Sequence, residues 1–503
     1  MRLNKAGDRG KKRIAGTLLH LSSLPSEYGI GDIGKGAYAF LDWLEEAGLK
    51  AWQMLPISPT GYGNSPYSSY SVFAAHHLYI SLEQLQQVGL LPSTLPKPHF
   101  SETRAQYHSA EAYKLKYLKE AFTHFKHYAS QEVLTFYEHF KQENIFWLNK
   151  YASFMSLKEA HGHKAWYEWT EEHTEYDIEM AAKGKYNSND MAEFHMFIQY
   201  VFFGQWSLLR QHAHKKGIIL IGDMPIYAAH DSADVWGEKE LFTIDKKGMP
   251  KTVAGVPPDY FSENGQLWGN PLYEWEIMRN NNFEWWKKRF HRQLSLFDYV
   301  RVDHFRGFES YWEIDGKSHT AKNGMWKKAP GKLLFQELLA EFGSLPVIAE
   351  DLGIITDEVR ELRDYFSFPG MKVLQFGFDS CDVHNEFLPH NFSENYVCYT
   401  GTHDNDTTLG WLNSSDERIS NFIRNYTKKK KSNENVRALI EMAFASVAQT
   451  VIVPMQDILG QGSKYRMNTP GKSAGNWEYR IRYKDLTEKK AMELRRYVQL
   501  YAR

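Results

Sequence analysis

Cysteine is nearly absent from this chain. Only Cys381 and Cys398 occur in 503 residues, too few for a disulfide framework or a cysteine-based zinc cluster. Both lie in or near apolar stretches, where a free buried thiol is the ordinary state, and such usage fits a reducing compartment. A dominant charge is missing too. Lys plus Arg number 60 and Asp plus Glu 61, a net charge of −1, so no global field attracts nucleic acid or an anionic membrane. The basic runs Lys11-Lys12-Arg13 and Lys428–Lys431 are short enough to be solvated surface. Long apolar runs are lacking as well. The most apolar helical segment, Phe194–Leu209, is interrupted by His195, Gln199, Gly204 and Gln205 and is too short and polar to span a bilayer. The basic start followed by Ile14–Leu21 has the outline of a secretory leader, but His20 and Ser22-Ser23 break it and no small-residue cleavage pattern follows. These absences together predict a cytoplasmic protein with neither membrane nor nucleic acid as a partner.

Aromatic residues are abundant instead: 15 Trp, 30 Tyr and 30 Phe. Most must be core, and the excess leaves rings free as platforms for sugar faces. Eight strand-like segments can be marked: Ile14–Leu21, Ala51–Ile57, Ile218–Asp223, Tyr299–Asp303, Val347–Glu350, Val373–Phe378, Tyr396–Thr400 and Val451–Met455. Most are short apolar runs, as buried parallel strands require. Helical patterns follow several of them, at Asp32–Glu46, Lys332–Phe342 and Thr356–Phe366. The alternation predicts an α/β fold, a (β/α)8 TIM barrel spanning 1–503 as one catalytic unit. Residues 58–217, between the second and third strands, are far more than one crossover needs. Helical spacing of Tyr113, Tyr117, Leu118, Ala121, Phe122 and Phe125 makes them a mainly helical insertion above the C-terminal face. A second insertion, 228–297, is rich in Gly and Pro and is expected to form shaped loops, with a candidate ring-lined lid at 252–271. Fewer than about fifty residues follow the last strand, too few for a C-terminal β-sandwich.

In a parallel barrel the strand C-termini converge on one mouth, where catalytic groups sit. Three of these strands end in acids: Arg301-Val302-Asp303-His304, Ala349-Glu350-Asp351 and Thr402-His403-Asp404-Asn405-Asp406. A fourth acid, Asp223, ends the third strand. The two-residue period puts Arg301 and Asp303 on one face, where a guanidinium would keep the carboxylate ionised. Several carboxylates at one mouth suit glycosidic-bond chemistry, with one ionised nucleophile and one acid of raised pKa. Spacing leaves Glu350 against Asp351, and Asp404 against Asp406, open. Gly29-Ile30-Gly31-Asp32-Ile33-Gly34 matches a dinucleotide fingerprint, but Pro25, Ser26 and Glu27 separate it from the strand and no acid ends the next strand, so these are turn glycines. No H-x-H or H-E-x-x-H spacing supports a metal site, and no nucleophile elbow or Walker loop is present.

The chain resembles the 4-alpha-glucanotransferases, also called amylomaltases or disproportionating enzymes, a branch related to the alpha-amylase clan. The resemblance covers nearly the whole chain. It rests on His20-Leu21-Ser22-Ser23-Leu24-Pro25, Gly61-Tyr62-Gly63-Asn64-Ser65-Pro66-Tyr67, Gly222-Asp223-Met224-Pro225, Pro257-Pro258-Asp259-Tyr260-Phe261, Trp268-Gly269-Asn270-Pro271, Arg301–Gly307, Ala349–Gly353 and Thr402–Asn405. It implies a barrel without a C-terminal sandwich. It also implies Asp303 as nucleophile, Glu350 as general acid/base and Asp404 as transition-state stabiliser. Arg301, His304, His403 and Asp223 would surround the donor sugar, and Tyr67, Asp259 and Trp268 would line the glucan groove. Wider amylase relatives carry Asn-His after the third-strand acid, and that Asn often helps bind calcium. Ile226-Tyr227 stand there in this chain, so no metal and no cofactor is expected. The implied substrates are α-1,4-glucans and maltooligosaccharides. A hydrolase using the same three acids is the competing reading.

Overall fold

The computed structural model describes residues 13–96, 98–187, 190–258, 263–472 and 474–503. The described residues form strands β1 (Ile14–Leu18), β2 (Ala51–Gln53), β3 (Ile219–Met224), β4 (Thr252–Val256), β5 (Gln266–Pro271) and β6 (Tyr299–Val302). Then come β7 (Ser310–Asp315), β8 (Gly324–Lys328), β9 (Val347–Ala349), β10 (Gly370–Val373), β11 (Tyr396–Tyr399) and β12 (Thr450–Pro454). Eight of them make one parallel sheet in the order β10-β11-β12-β1-β2-β3-β6-β9. Its two end strands meet where the Ala349 N–H donates to the Pro369 carbonyl at 2.9 Å. The Asp351 carboxylate spans the same seam, accepting from the Met371 N–H at 2.7 Å and from the Arg363 guanidinium. The sheet thereby curls round on itself as a (β/α)8 barrel. Its strands are mostly apolar because they are buried on both faces; the charged exceptions, Asp223, Arg301 and Lys372, are each ion-paired.

Between β2 and β3 the chain runs through the helices Tyr107–Tyr128, Gln131–Glu143, Ile145–Ala160 and Met191–Lys215. Tyr117, Leu118, Ala121, Phe122 and Phe125 form the buried stripe of the first. The two glutamines that interrupt the apolar run of Met191–Lys215 have a structural use. Gln199 exchanges hydrogen bonds of 2.8 Å with both the N–H and C=O of Ala75, and Gln205 does the same with Ser81 at 2.8 and 3.0 Å. They satisfy loop backbone that is buried away from water. No helix among the described residues is long and apolar enough to cross a membrane.

Two elements differ from the sequence expectation. The strand expected at Val373–Phe378 is Gly370–Val373, and Leu374–Phe378 is helical. A short apolar run does not by itself separate strand from helix, and Lys372 disguised the true strand. Its ammonium is buried against Glu386 at 2.6 Å and over the rings of Tyr396 and Phe387. The segment 252–271, expected as loops, contributes β4 and β5 to a four-stranded antiparallel sheet, β5-β4-β7-β8. Gly255 marks an irregularity in register between β4 and β5, and a Cβ there would lie 2.2 Å from the Gln266 carbonyl. Glycine at this point permits close strand approach; it does not signal a loop.

After β12 the chain forms the helices Met455–Leu459 and Glu488–Leu500, with no β-sandwich among the described residues. The second docks beside the helix Lys35–Glu46, where the Trp43 indole N–H donates to the Thr487 carbonyl at 3.1 Å.

Candidate active site

The parallel register sets Asp223 beside Arg301 across β3 and β6. One guanidinium nitrogen, Nη1, lies 2.8 Å from each Asp223 oxygen and 2.9 Å from Asp303 Oδ1. Arg301 and Asp303 thus share a face, as the period of two requires. The two carboxylates differ in access. The Asp223 side chain is fully buried, whereas 28% of the Asp303 side chain is exposed at the mouth. The Tyr67 hydroxyl donates to Asp223 Oδ2 at 2.8 Å. Asp223 is therefore occupied by two partners, and Asp303 keeps an open side.

Glu350 follows β9. Its Oε2 accepts from the His304 N–H at 2.7 Å and its Oε1 from the Leu352 N–H at 3.0 Å. His304 has φ of +49°, in the left-handed region, and this turn aims its N–H at the carboxyl. Burial pushes Glu350 up to about 7; Arg301 opposes the rise and Asp303 adds to it. Burial also pushes Asp303 up, to about 6, with Arg301 opposing and Asp223 adding. The arginine in contact keeps Asp303 the stronger acid, so Glu350 holds the proton when the two share one. The adjacent Asp351 points away, buried in the barrel seam with Arg363. Geometry thus separates the two acids that spacing left equivalent.

Asp404 closes the constellation. Asn468 donates to its Oδ1 at 2.6 Å, His403 Nε2 lies 3.3 Å from its Oδ2, and the Arg466 guanidinium donates to its carbonyl. Burial works to raise Asp404, but His403 and the Asn468 bond outweigh it and hold the carboxyl well below the usual carboxylate range. His403 is correspondingly raised: burial lowers it, and Asp404 more than compensates. Asp406 instead accepts from the Ser463 hydroxyl and the Thr407 N–H, each at 2.7 Å. Buried Asp457 fixes both ends of the loop: it accepts from the hydroxyls of Thr400 and Thr408 at 2.6 Å each and from the Thr408 N–H at 2.7 Å.

The Tyr67 ring stacks on His403 with centroids 5.1 Å apart, and Trp477 packs against both at 6.0 and 6.1 Å. Trp268 meets the site through His304, ring edge to face at 4.9 Å. Asp259, with Tyr260 and Phe261, lies outside the described residues. Sequence reasoning missed Asn468, Arg466, Trp477 and Asp457, which all follow the last barrel strand. A faint signal existed in the turn-rich Met467-Asn468-Thr469-Pro470-Gly471 and in Gly475-Asn476-Trp477. Trp477 takes φ of +66°, a strained backbone for a bulky residue. Among the described residues no group of three or more His, Cys, Asp or Glu side chains converges as a metal site.

A barrel mouth with one arginine-paired carboxylate, one carboxyl raised toward neutrality and a third anchored anion defines an enzyme acting on glycosidic bonds. The family model described as 4-alpha-glucanotransferase matches residues 19–487. The chain is 46% identical over 498 residues to the 4-alpha-glucanotransferase of Synechocystis sp., covering 98% of each. It is 46% identical over 490 residues to that of Thermus thermophilus, covering 96% of this chain and 97% of the relative. The solved amylomaltase from Streptococcus agalactiae in complex with acarbose aligns with a TM-score of 0.94 at 37% identity, covering 98% of this chain and all of that one. The chain belongs to the 4-alpha-glucanotransferase family.

Proposed function

We propose that the enzyme transfers a segment of an α-1,4-glucan to the 4-hydroxyl of another glucan, a maltooligosaccharide or glucose by retaining double displacement. In the first step Glu350 gives its proton to the glycosidic oxygen. The bond from that oxygen to the anomeric carbon breaks, and Asp303 forms a bond to the same carbon. The released chain carries the proton away as a hydroxyl. In the second step Glu350 takes the proton of the acceptor 4-hydroxyl, the acceptor oxygen attacks the anomeric carbon, and Asp303 leaves as a carboxylate. Asp404 stabilises positive charge at the anomeric carbon in both transition states, held anionic by His403 and Asn468. Arg301, His304 and His403 surround the donor sugar, with Asp223 acting through Arg301 and Tyr67, while Tyr67 and Trp268 line the glucan groove.

The observation that carries this reading is the unequal pair: Asp303 against Arg301 at 2.9 Å, and Glu350 away from any such direct cation partner and raised to about 7. Glu350 is positioned by two backbone N–H groups, so its acid and base forms can alternate without moving the side chain. Two free thiols, Cys381 and Cys398, support assignment to the cytoplasm. Incubation with maltotriose is the test. Transfer yields glucose and longer oligosaccharides at a constant number of reducing ends. A rise in reducing ends matching substrate loss would identify a hydrolase instead.

A further inference from the structure

The sheet β5-β4-β7-β8 carries an aromatic surface beyond the carboxylates. Trp326 on β8 pairs in register with Trp312 on β7, their rings 5.2 Å apart at 64°. The Arg306 guanidinium lies over the Trp326 ring, 3.8 Å from its centroid. Arg306 is itself buried and fixed by its bond to the Ile354 carbonyl. Even so, Trp326 is 40% exposed and Ile354 58%. A large ring backed by a buried cation and braced by a second indole keeps one orientation while it presents apolar surface to water. The edge position of β8 does not require that ring. Lys327 and Lys328, paired with Glu313 and Glu309, already supply the charge that guards an edge strand.

The chain ties this surface to the reacting groups. Arg306 lies three residues beyond Asp303 and Ile354 four beyond Glu350. The opposite edge strand of the sheet carries Trp268, against His304. Three strand spacings separate the two edges, about 14 Å. We propose that Trp326, with Ile354 along the same arginine, is an outer platform for an α-1,4-glucan chain leaving the carboxylate mouth. A glucose residue lays its C–H face on the indole, and its hydroxyls meet the Glu309–Lys328 pair, whose lysine shares the face of Trp326 on β8. Only chains long enough to span from Asp303 to Trp326 gain from the contact. The inference rests on the glucan-transfer reading above.

The test compares the full-length enzyme with Trp326→Ala, Trp326→Gln and Trp326→Phe, using maltotriose and amylose as donors. Both ringless variants should raise KM for amylose about tenfold, the loss of one stacking contact, with kcat unchanged and maltotriose kinetics within about twofold of wild type. Trp326→Phe should recover most of the loss. Retardation in amylose-containing native gels should fall in parallel, a readout that needs no turnover. Unchanged amylose KM and retardation in variants that melt with wild type would overturn the platform, as would an equal loss on maltotriose and amylose. Absence of maltotriose transfer in the wild type would instead sink the transferase reading, while gel retardation still reports on the platform.

Discussion

Asp303 and Glu350 carry the same functional group in two environments, and the difference between those environments is the chemistry. Asp303→Asn removes the proposed nucleophile while keeping its shape, so transfer should fall by roughly four orders of magnitude or more, measured as kcat on maltotriose. Glu350→Gln should cost about 10²–10⁴-fold and should also erase the alkaline limb of the pH profile. That profile follows from the two carboxyls. Activity needs Asp303 ionised, so it falls as pH drops through about 6. It needs Glu350 protonated, so it falls as pH climbs through about 7. The result is a bell in kcat/KM whose two limbs belong to the coupled pair and lie above the ordinary carboxylate range. Replacing Arg301 by Met removes the charge that opposes the rise of Asp303, so the acidic limb should move to higher pH.

At the scale of elements, β3 and β6 bring Asp223 to Arg301 because their register fixes which residues are neighbours. Gly222 precedes Asp223, and a Cβ there would lie 2.3 Å from the Phe297 ring. Gly222→Ala must therefore shift either that ring or the strand. We expect a destabilisation of about 1–3 kcal/mol, read as a lower melting temperature, together with reduced activity because Asp223 moves with its strand. The acids at strand ends were legible in sequence because a two-residue period and a strand terminus are local properties. The sheet β5-β4-β7-β8 was not. Its hairpin holds Gly255, Gly265, Gly269 and Pro271, and locally these punctuate chain much as a loop does. The pairing of β4 with β7, roughly sixty residues onward, decides that they form strands.

Across the whole molecule, buried histidines couple stability to pH. Burial, with nearby cationic groups, pushes His20 and His304 down to about 3, whereas in the unfolded chain they titrate near 6.5. Between those values the unfolded state binds protons that the folded state refuses, so stability rises with pH there. Their contribution is complete above about 6.5 and is lost as pH falls toward 3. Melting temperature should decline over that window, and His20→Gln should flatten the decline. The barrel seam gives a second global test. Asp351→Ala leaves the buried Arg363 with only the more exposed Asp364 as partner and strips the Met371 N–H of its acceptor, an expected loss of about 1–3 kcal/mol measured by thermal or chemical unfolding. The remaining folded enzyme should keep its pH profile, whereas changes at neighbouring Glu350 alter that profile.

The sequence by itself determined the barrel, the strand-end acids and the Arg301–Asp303 pairing, because each depends on short-range periodicity and on burial that composition reports. From residues alone it left Glu350 and Asp351 equivalent, and likewise Asp404 and Asp406. Tertiary structure decided between them. Arg363 claims Asp351 for the seam, Ser463 engages Asp406, and Asn468 and His403 hold Asp404 at the mouth. Arg363, Asn468 and Ser463 lie twelve or more residues from the acids they engage. Where each of two neighbouring carboxylates is held depends on partners distant in sequence, and only the folded chain brings those partners together.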